Sequence, residues 1–255
     1  MKLALIQTRT CWHDAAANRA LFDEWFAKVA ADTNLVILPE MFSTGFTMRP
    51  LEVAESMQGP TVAWMRAAAK KLDAVVTGSV VIGENGRHFN RMLWVTPDGG
   101  VTVYDKRHRF RMAGEHEHYA AGDARVVVRL GDWRICLMVC YDLRFPVWFR
   151  NRGDYDALIC VANWPAARQT AWDALLRARA VENQCFAIGV NRVGVDGNDV
   201  AYCGGSGGYD FLGEPMARMV DEPGVIELVI DKQKLDVYRG AFPAWQDADD
   251  FVLKA

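Results

Sequence analysis

Cys140 ends an apolar, strand-like run in the segment RICLMVCYDLRFP, residues 134–146. A cysteine in such a run is usually a small buried hydrophobe, so its surroundings must decide whether the thiol is chemically active. The run is followed at once by Tyr141, Asp142 and a proline-broken segment. Because ligand crevices form at the strand ends of open α/β sheets, Cys140 is a candidate nucleophile.

Two more polar residues close apolar runs in the same way. Glu40 ends NLVILPE, and Lys106 ends VTVYDK. A solvated strand end is the plain alternative for Glu40, and a surface lysine is the plain alternative for Lys106. If the three strand ends converge, the carboxylate, the ammonium and the thiol of Cys140 share one pocket.

A thiol with an ordinary pKa near ~8.5 needs a base or a cation to become a nucleophile at neutral pH. All five histidines (13, 88, 108, 116 and 118) precede Cys140, which excludes the papain-like order. His88 has the upstream spacing of a caspase histidine, but the caspase signature around the cysteine is absent. A buried Glu40 can act as the base instead, and Lys106 can stabilise a thiolate and an oxyanion.

Strands and helices alternate along the 255 residues, 51% of which are apolar. Periodicity predicts helices over about residues 18–31, 61–72 and 170–183, and hairpin turns at residues 97–100 and 131–132. Strands this apolar must be covered on both faces. We therefore expect an α/β fold in which two mixed sheets stack with helices outside, a four-layer α-β-β-α sandwich. Without a linker or repeat, residues 1–255 are predicted to form one domain.

The charge pattern favours a small-molecule substrate. The net charge is −3, and no basic stripe indicates binding to nucleic acid or to a membrane surface. The amino terminus lacks the apolar core of a signal peptide, and no run approaches about 18 apolar residues. Six cysteines are dispersed without C-x-x-C pairs, which is typical of reduced thiols. These features predict a cytoplasmic protein.

Three segments together resemble the signature segments of the nitrilase, or carbon-nitrogen hydrolase, superfamily. They are LPEMF around Glu40, YDKRHRF around Lys106 and CYDLRFP around Cys140. The resemblance extends over residues 162–183 and 202–217, which are similar to the ω-amidase branch, enzymes that hydrolyse terminal amides of α-keto dicarboxylic acids. It implies an αββα sandwich, a homodimer, and a Glu-Lys-Cys triad that uses no metal or organic cofactor.

By this resemblance Glu40 is the general base, Cys140 the nucleophile and Lys106 the electrostatic stabiliser. The backbone N–H of Tyr141 completes the oxyanion site. A fourth residue, a second glutamate, is expected in GEHEHYAAG. Glu115 is preferred because it stands seven residues before Gly122.

Three features around this segment leave alternatives open. Glu117 is the second candidate for the fourth residue. Arg109 stands where relatives carry an apolar residue, and we expect a shifted local contact there. His116 and His118 form a His-x-His pair, but that spacing alone is a weak signal for a metal.

The substrate implied by the ω-amidase branch is 2-oxoglutaramate or 2-oxosuccinamate, whose remote carboxylate needs a cation beside an aromatic wall. Phe42, Phe46 and Trp164 are predicted to form the wall. Arg144 and Arg168 are the cationic candidates, and Arg168 is preferred because Arg144 lies in the turn after the nucleophile.

Two other functions compete with this one. Another small-amide or N-carbamoyl amine hydrolase would use the same triad. A catalytically silent amide-binding module would keep the sandwich, but the intact Glu-Lys-Cys set argues against silence.

Overall fold

The computed structural model of the protein describes residues 1–253. Its strands are β1 (Lys2–Gln7), β2 (Leu35–Ile37), β3 (Val75–Glu84), β4 (Arg87–Val95), β5 (Val101–Asp105), β6 (Val127–Leu130), β7 (Trp133–Val139), β8 (Ala157–Ala162), β9 (Phe186–Asn191), β10 (Val193–Val195), β11 (Ala201–Tyr209), β12 (Pro215–Val220) and β13 (Gly224–Val229). Its α-helices are α1 (Ala15–Phe26), α2 (Pro50–Val53), α3 (Pro60–Leu72), α4 (Glu115–His118), α5 (Gln169–Asn183) and α6 (Lys232–Ala241).

The strands form two mixed sheets. The first has the order β13-β1-β2-β3-β4-β5, and the second has the order β10-β11-β9-β8-β7-β6 with β12 paired to β11. Strands β1, β2 and β3 are parallel in the first sheet, and β7, β8 and β9 are parallel in the second. The carboxyl ends of β2 and β7 lie inside these parallel sets, where crossover connections leave room for a ligand.

Side-chain alternation explains why the sheets stack. Leu3 and Leu5 of β1 belong to one buried cluster with Leu137 of β7, so that face packs on the second sheet. Ile6 points to the other face and packs with Phe22 of α1 in a second cluster. The first sheet is therefore buried on both sides, as its apolar strands require.

Helix α5 covers the outer face of the second sheet. Gly189 on β9 leaves the space that the helix occupies, because a Cβ there would lie 2.5 Å from Leu176 and 2.6 Å from Trp172. The helices thus form the outer layers of an α-β-β-α sandwich, which confirms the predicted fold.

Asp156 immediately precedes β8, at the amino-terminal end of that strand, and its carboxylate is buried. Its ion pairs join Arg134 at 2.6 Å, Arg239 at 2.9 Å and Lys232 at 3.1 Å. Burial alone would raise the pKa of Asp156, but hydrogen bonds from Arg134 and Lys232 lower that pKa to about 2. This cluster ties α6 to the second sheet.

Most predicted elements are present, with shifted boundaries. The helices predicted over residues 61–72 and 170–183 are α3 and α5, and both hairpins form. The first helix was predicted too far along the chain: α1 begins after Asp14, whose carboxylate accepts the Ala17 N–H at 2.9 Å, and it ends at Phe26. No helix within residues 1–253 is long and apolar enough to cross a bilayer.

Candidate active site

Three strand ends bring the predicted residues together. Glu40 follows β2 by three residues, whereas Lys106 and Cys140 directly follow β5 and β7. The ammonium of Lys106 lies 2.9 Å from Oε1 of Glu40. Both Glu40 and Lys106 are close enough to the Cys140 thiol to influence its pKa. The convergence expected from the sequence is therefore present.

The carboxylate of Glu40 is fully buried and receives hydrogen bonds at both oxygens. Oε1 accepts from Lys106 Nζ at 2.9 Å and from Asn90 Nδ2 at 2.7 Å, and Oε2 accepts from the backbone N–H of Asn163 at 2.7 Å. All three partners are donors, as an acceptor-only carboxylate requires. The carboxylate is thus held in one orientation.

Lys106 is shared between two buried carboxylates. Glu115 places both of its oxygens 2.9 Å from Nζ, and its Oε2 also accepts the backbone N–H of Phe110. Burial would lower the pKa of Lys106, but the charges of Glu115 and Glu40 raise it well above its ordinary value. Burial raises the pKa of Glu115, and Lys106 opposes that rise.

The structure distinguishes the two candidates for the fourth residue. Glu115 is fully buried against Lys106. The side chain of Glu117 is 67% exposed and lies 3.8 Å from His116. Glu115, the preferred candidate, is therefore the glutamate that contacts the cluster.

Cys140 has the left-handed backbone angle φ +46° that non-glycine residues rarely adopt. It begins the short 3₁₀ turn Cys140–Arg144. Its Sγ lies 3.8 Å from the carbonyl oxygen of Asn163, which can accept the thiol hydrogen. Burial, and then the charge of Glu40, raise the pKa of Cys140 well above its usual range. The resting thiol therefore needs a base to react.

Asp142 fixes this turn. Its carboxylate accepts the backbone N–H of Val139 at 3.2 Å, the Tyr104 hydroxyl at 2.7 Å and the backbone N–H of His108 at 2.9 Å. Tyr104 lies on β5 and His108 follows Lys106. Asp142 thus links the Cys140–Arg144 turn to the segment that carries Lys106.

A cavity of about 640 Å³ opens onto Cys140 and Lys106. The predicted pocket residues that line it are Phe46, Tyr141, Arg144, Trp164 and Arg168. Lys106 Nζ lies 5.1 Å from the centre of the Phe46 ring, and both residues line the cavity.

Both candidate arginines lie over aromatic rings of this cavity. The guanidinium of Arg144 is 4.9 Å from the Trp164 ring centre, and that of Arg168 is 5.3 Å from the Phe110 ring centre. Nη2 of Arg168 also lies 3.4 Å from the sulfur of Met112. Phe110 and Met112 were not predicted from the sequence.

The prediction that Phe42 forms a wall of the pocket is wrong. Phe42 is fully buried, and its ring packs against Phe22 at 5.3 Å and Trp64 at 5.8 Å between the first sheet and its helices. The intervening Met41 has φ +42°. The chain therefore turns after Glu40, and Phe42 faces the core instead of the cavity.

The remaining predictions near Lys106 concern Arg109 and the histidine pair. Nη1 of Arg109 donates to the carbonyl of Tyr119 at 3.2 Å, and Lys106 keeps both carboxylate partners beside it. Within residues 1–253, no group of three or more His, Cys, Asp or Glu side chains has the arrangement of a metal site.

Sequence reasoning missed two asparagines that contact Glu40. Asn90 lies within β4, where nothing in the sequence distinguishes it from an ordinary strand residue. Asn163 directly follows β8 in ALICVANWP, so the same strand-end argument that found Cys140 applies to it.

A family model described as "Carbon-nitrogen hydrolase" matches residues 2–239. The fold, the buried Glu-Lys-Cys cluster and this match define the class: the chain belongs to the carbon-nitrogen hydrolase family and is an amidohydrolase of that family. It is 46% identical to omega-amidase YafV of Escherichia coli, over 99% of this chain and 98% of the relative.

Two further relatives extend the comparison. The chain is 32% identical to the 2-oxoglutaramate amidase of Bacillus subtilis, over 86% of each. A CN-hydrolase superfamily protein from Xanthomonas campestris, solved with an arsenic adduct in its active site, superposes with a TM-score of 0.98 at 48% identity. That alignment covers 100% of this chain and 99% of the neighbour.

Proposed function

We propose that the protein releases ammonia from the terminal amide of α-keto dicarboxylic acid monoamides such as 2-oxoglutaramate and 2-oxosuccinamate. Relatives named omega-amidase and 2-oxoglutaramate amidase support this substrate class. The reaction passes through a thioester on Cys140. Among the described residues that line the cavity, Cys140 is the one cysteine, and it lies beside Lys106.

Acylation uses the groups already in contact. Glu40 takes the thiol proton as Sγ of Cys140 attacks the amide carbon. The oxyanion forms beside Lys106 and the backbone N–H of Tyr141, and Glu115 keeps the lysine charged and in place. The carbon–nitrogen bond then breaks, the nitrogen takes the proton from Glu40, and ammonia leaves.

Deacylation reuses the same carboxylate. Glu40, now ionised again, removes a proton from a water molecule that attacks the thioester carbon. The carbon–sulfur bond breaks, Cys140 recovers the proton, and the free acid departs. One buried base therefore serves both halves of the reaction.

The observation that supports this substrate class concerns the charged groups around Arg144 and Arg168. Among residues 1–253, neither Arg144 nor Arg168 has a carboxylate within 4.0 Å, although both line the cavity. Arg49, a third arginine of the cavity lining, pairs with Glu52 at 3.1 Å. Two unpaired guanidinium groups beside aromatic rings suit the remote carboxylate of the substrate.

The test is a comparison of ammonia release from 2-oxoglutaramate and from a neutral monoamide of similar length. We expect a strong preference for the acid, because the neutral amide forms no charge-assisted hydrogen bond with the arginine, and that loss costs more than a missing methylene. Arg168→Gln should reduce kcat/KM for the acid by roughly 10- to 150-fold and hardly change that for the neutral amide. Equal kcat/KM for both substrates in the unmodified enzyme would refute the carboxylate pocket.

A second candidate function has one observation in its favour. The carboxylate of Asp196 also lines the cavity, held by the Tyr202 hydroxyl at 2.8 Å. A negative group suits the amine end of an N-carbamoyl amine. An N-carbamoyl amine should therefore be added to the comparison of ammonia release, and a preference for it over the keto acid amide would favour this second function.

We further propose that residues 1–255 act as one domain and assemble as a homodimer. The cluster shared by both sheets supports a single unit. Val181 on α5 lies against Gly213, the neighbour of Leu212, and both Val181 and Leu212 are half-exposed apolar residues. This apolar pair supports a partner surface on the side of the second sheet. The six free cysteines support a reducing compartment such as the cytoplasm.

A further inference from the structure

Asn163 contacts both reacting groups of the proposed mechanism. Its backbone N–H donates to Oε2 of Glu40 and its Nδ2 donates to the backbone carbonyl of Glu40, each at 2.7 Å. Its own carbonyl oxygen lies 3.8 Å from Sγ of Cys140. Three of its four polar groups are therefore used to hold the base and the nucleophile.

The fourth polar group, Oδ1, has no donor. Asn163 is only 4% exposed, and no residue within 1–253 donates a hydrogen bond to Oδ1. The orientation of the amide is fixed, because the Glu40 carbonyl can only accept and Nδ2 must face it. Asn163 also lines the cavity beside Cys140. A buried acceptor without a donor is costly, which points to a ligand that supplies one.

We infer that Oδ1 of Asn163 accepts a hydrogen bond from the N–H of the scissile amide, so that Asn163 contacts the leaving group. This inference deepens the proposed function and rests on its Cys140-dependent acylation. Of the cavity residues, Asn163 is tied to the nucleophile by its carbonyl and to the base by its backbone N–H. Its side-chain oxygen is therefore held close to where the amide nitrogen must lie between them.

The contact has a role in the chemistry. When the Sγ–carbon bond has formed, the amide nitrogen becomes tetrahedral and must present its lone pair to the protonated Glu40. A hydrogen bond from one N–H to Asn163 turns that lone pair toward the carboxyl group. The carbon–nitrogen bond then breaks as the proton transfers, and ammonia departs.

The test compares an amide with the methyl ester of the same acyl group, because the ester has no N–H to donate. In Asn163→Ala, kcat/KM for the amide should fall about tenfold more than kcat/KM for the ester. This parameter reports acylation for both substrates, so loss of support for Glu40 or Cys140 lowers both values together. Any acyl group that the enzyme accepts can be used, which separates this test from the identity of the natural substrate.

Two further variants make the result specific. Asn90 also donates to Glu40 but does not line the cavity. Asn90→Ala should therefore lower kcat/KM for the amide and for the ester by the same factor. Asn163→Asp, with its carboxyl group protonated, keeps a donor for the Glu40 carbonyl and an acceptor oxygen in place of Oδ1. It should retain the amide-to-ester ratio of the unmodified enzyme even if both rates fall. Circular dichroism checks that each variant is folded.

The inference is overturned by either of two outcomes. One is an equal loss for amide and ester in Asn163→Ala, which would leave only a structural role. The other is an amide-to-ester ratio in Asn163→Asp as low as that in Asn163→Ala. Failure of the unmodified enzyme to release ammonia from any amide would instead reject the proposed function.

Discussion

Replacing Glu40 by Gln tests whether the buried carboxylate is the base that starts the reaction. A thiol with an ordinary pKa near 8.5 is about one-tenth thiolate at pH 7.5, and burial raises the pKa of Cys140 further. Little thiolate therefore exists without help. Removing a general base typically costs about 10²- to 10⁴-fold, so kcat/KM for ammonia release should fall by that amount.

The substitution also disturbs the contacts of the carboxylate. Its three partners, Lys106, Asn90 and the backbone N–H of Asn163, are all donors. The Gln side-chain NH₂ must face one of them, which leaves a buried donor unsatisfied at a cost of about 1–3 kcal/mol. In a chain of this size each kcal/mol lowers Tm by roughly 2–4 °C. Thermal denaturation therefore has to accompany the activity measurement.

Intact mass measured with substrate present decides the assignment. In Glu40→Gln no thioester should accumulate on Cys140, because the Gln side chain is not a base that can remove the thiol proton. The matched control is Glu115→Gln, which removes the other carboxylate from Lys106 and should also reduce turnover severely. Glu117→Gln should leave turnover unchanged. A thioester at full occupancy in Glu40→Gln would show that another group is the base.

Three other substitutions, and one control at Cys203, test the proposed nucleophile, its turn and the opposite end of the second sheet. Cys140→Ala should abolish ammonia release, whereas Cys203→Ser should keep most of it; an active Cys140→Ala enzyme would remove the thiol from the mechanism. Asp142→Asn should lower kcat/KM about tenfold or more through displacement of the nucleophile turn, and unchanged kinetics would contradict that role. Asp156→Asn should lower the free energy of unfolding by about 2 kcal/mol at pH 7. Because the folded pKa of Asp156 is depressed to about 2 by basic neighbours including Arg134, this difference should shrink as the pH falls from about 4 to 2 in urea titrations.

The position of the Glu-Lys-Cys cluster was predictable because it depends on strand ends. Glu40, Lys106 and Cys140 each close an apolar run, and the topology of parallel strands brings such ends to one crevice. Spacing to Gly122 also selected Glu115, the glutamate that contacts Lys106. Each of these features lies within a short segment of the sequence, and the structure shows it as predicted.

The walls of the cavity were less predictable because they depend on the direction of single side chains. Phe42 stands two residues after Glu40, yet the positive φ of Met41 turns its ring into the core. Phe110 and Met112 enter the cavity through the 3₁₀ turn Arg111–Ala113, for which the sequence has no periodic signal. Asn90 contacts Glu40 only because β4 pairs with β3 in the observed register. A shift of one residue would turn it away.

The contact between Glu40 and Asn163 joins residues 123 positions apart, from different sheets. Glu40 and Cys140, the proposed base and nucleophile, therefore meet only when the two sheets are docked. If the sheets separate even locally, Cys140 loses its contact with the Glu40 side and also the burial that raises its pKa, so its thiol reverts toward ordinary acidity. Turnover and general alkylation of this cysteine should then move in opposite directions. A preparation with falling activity and rising reactivity toward a neutral alkylating reagent would be one in which the sandwich is opening.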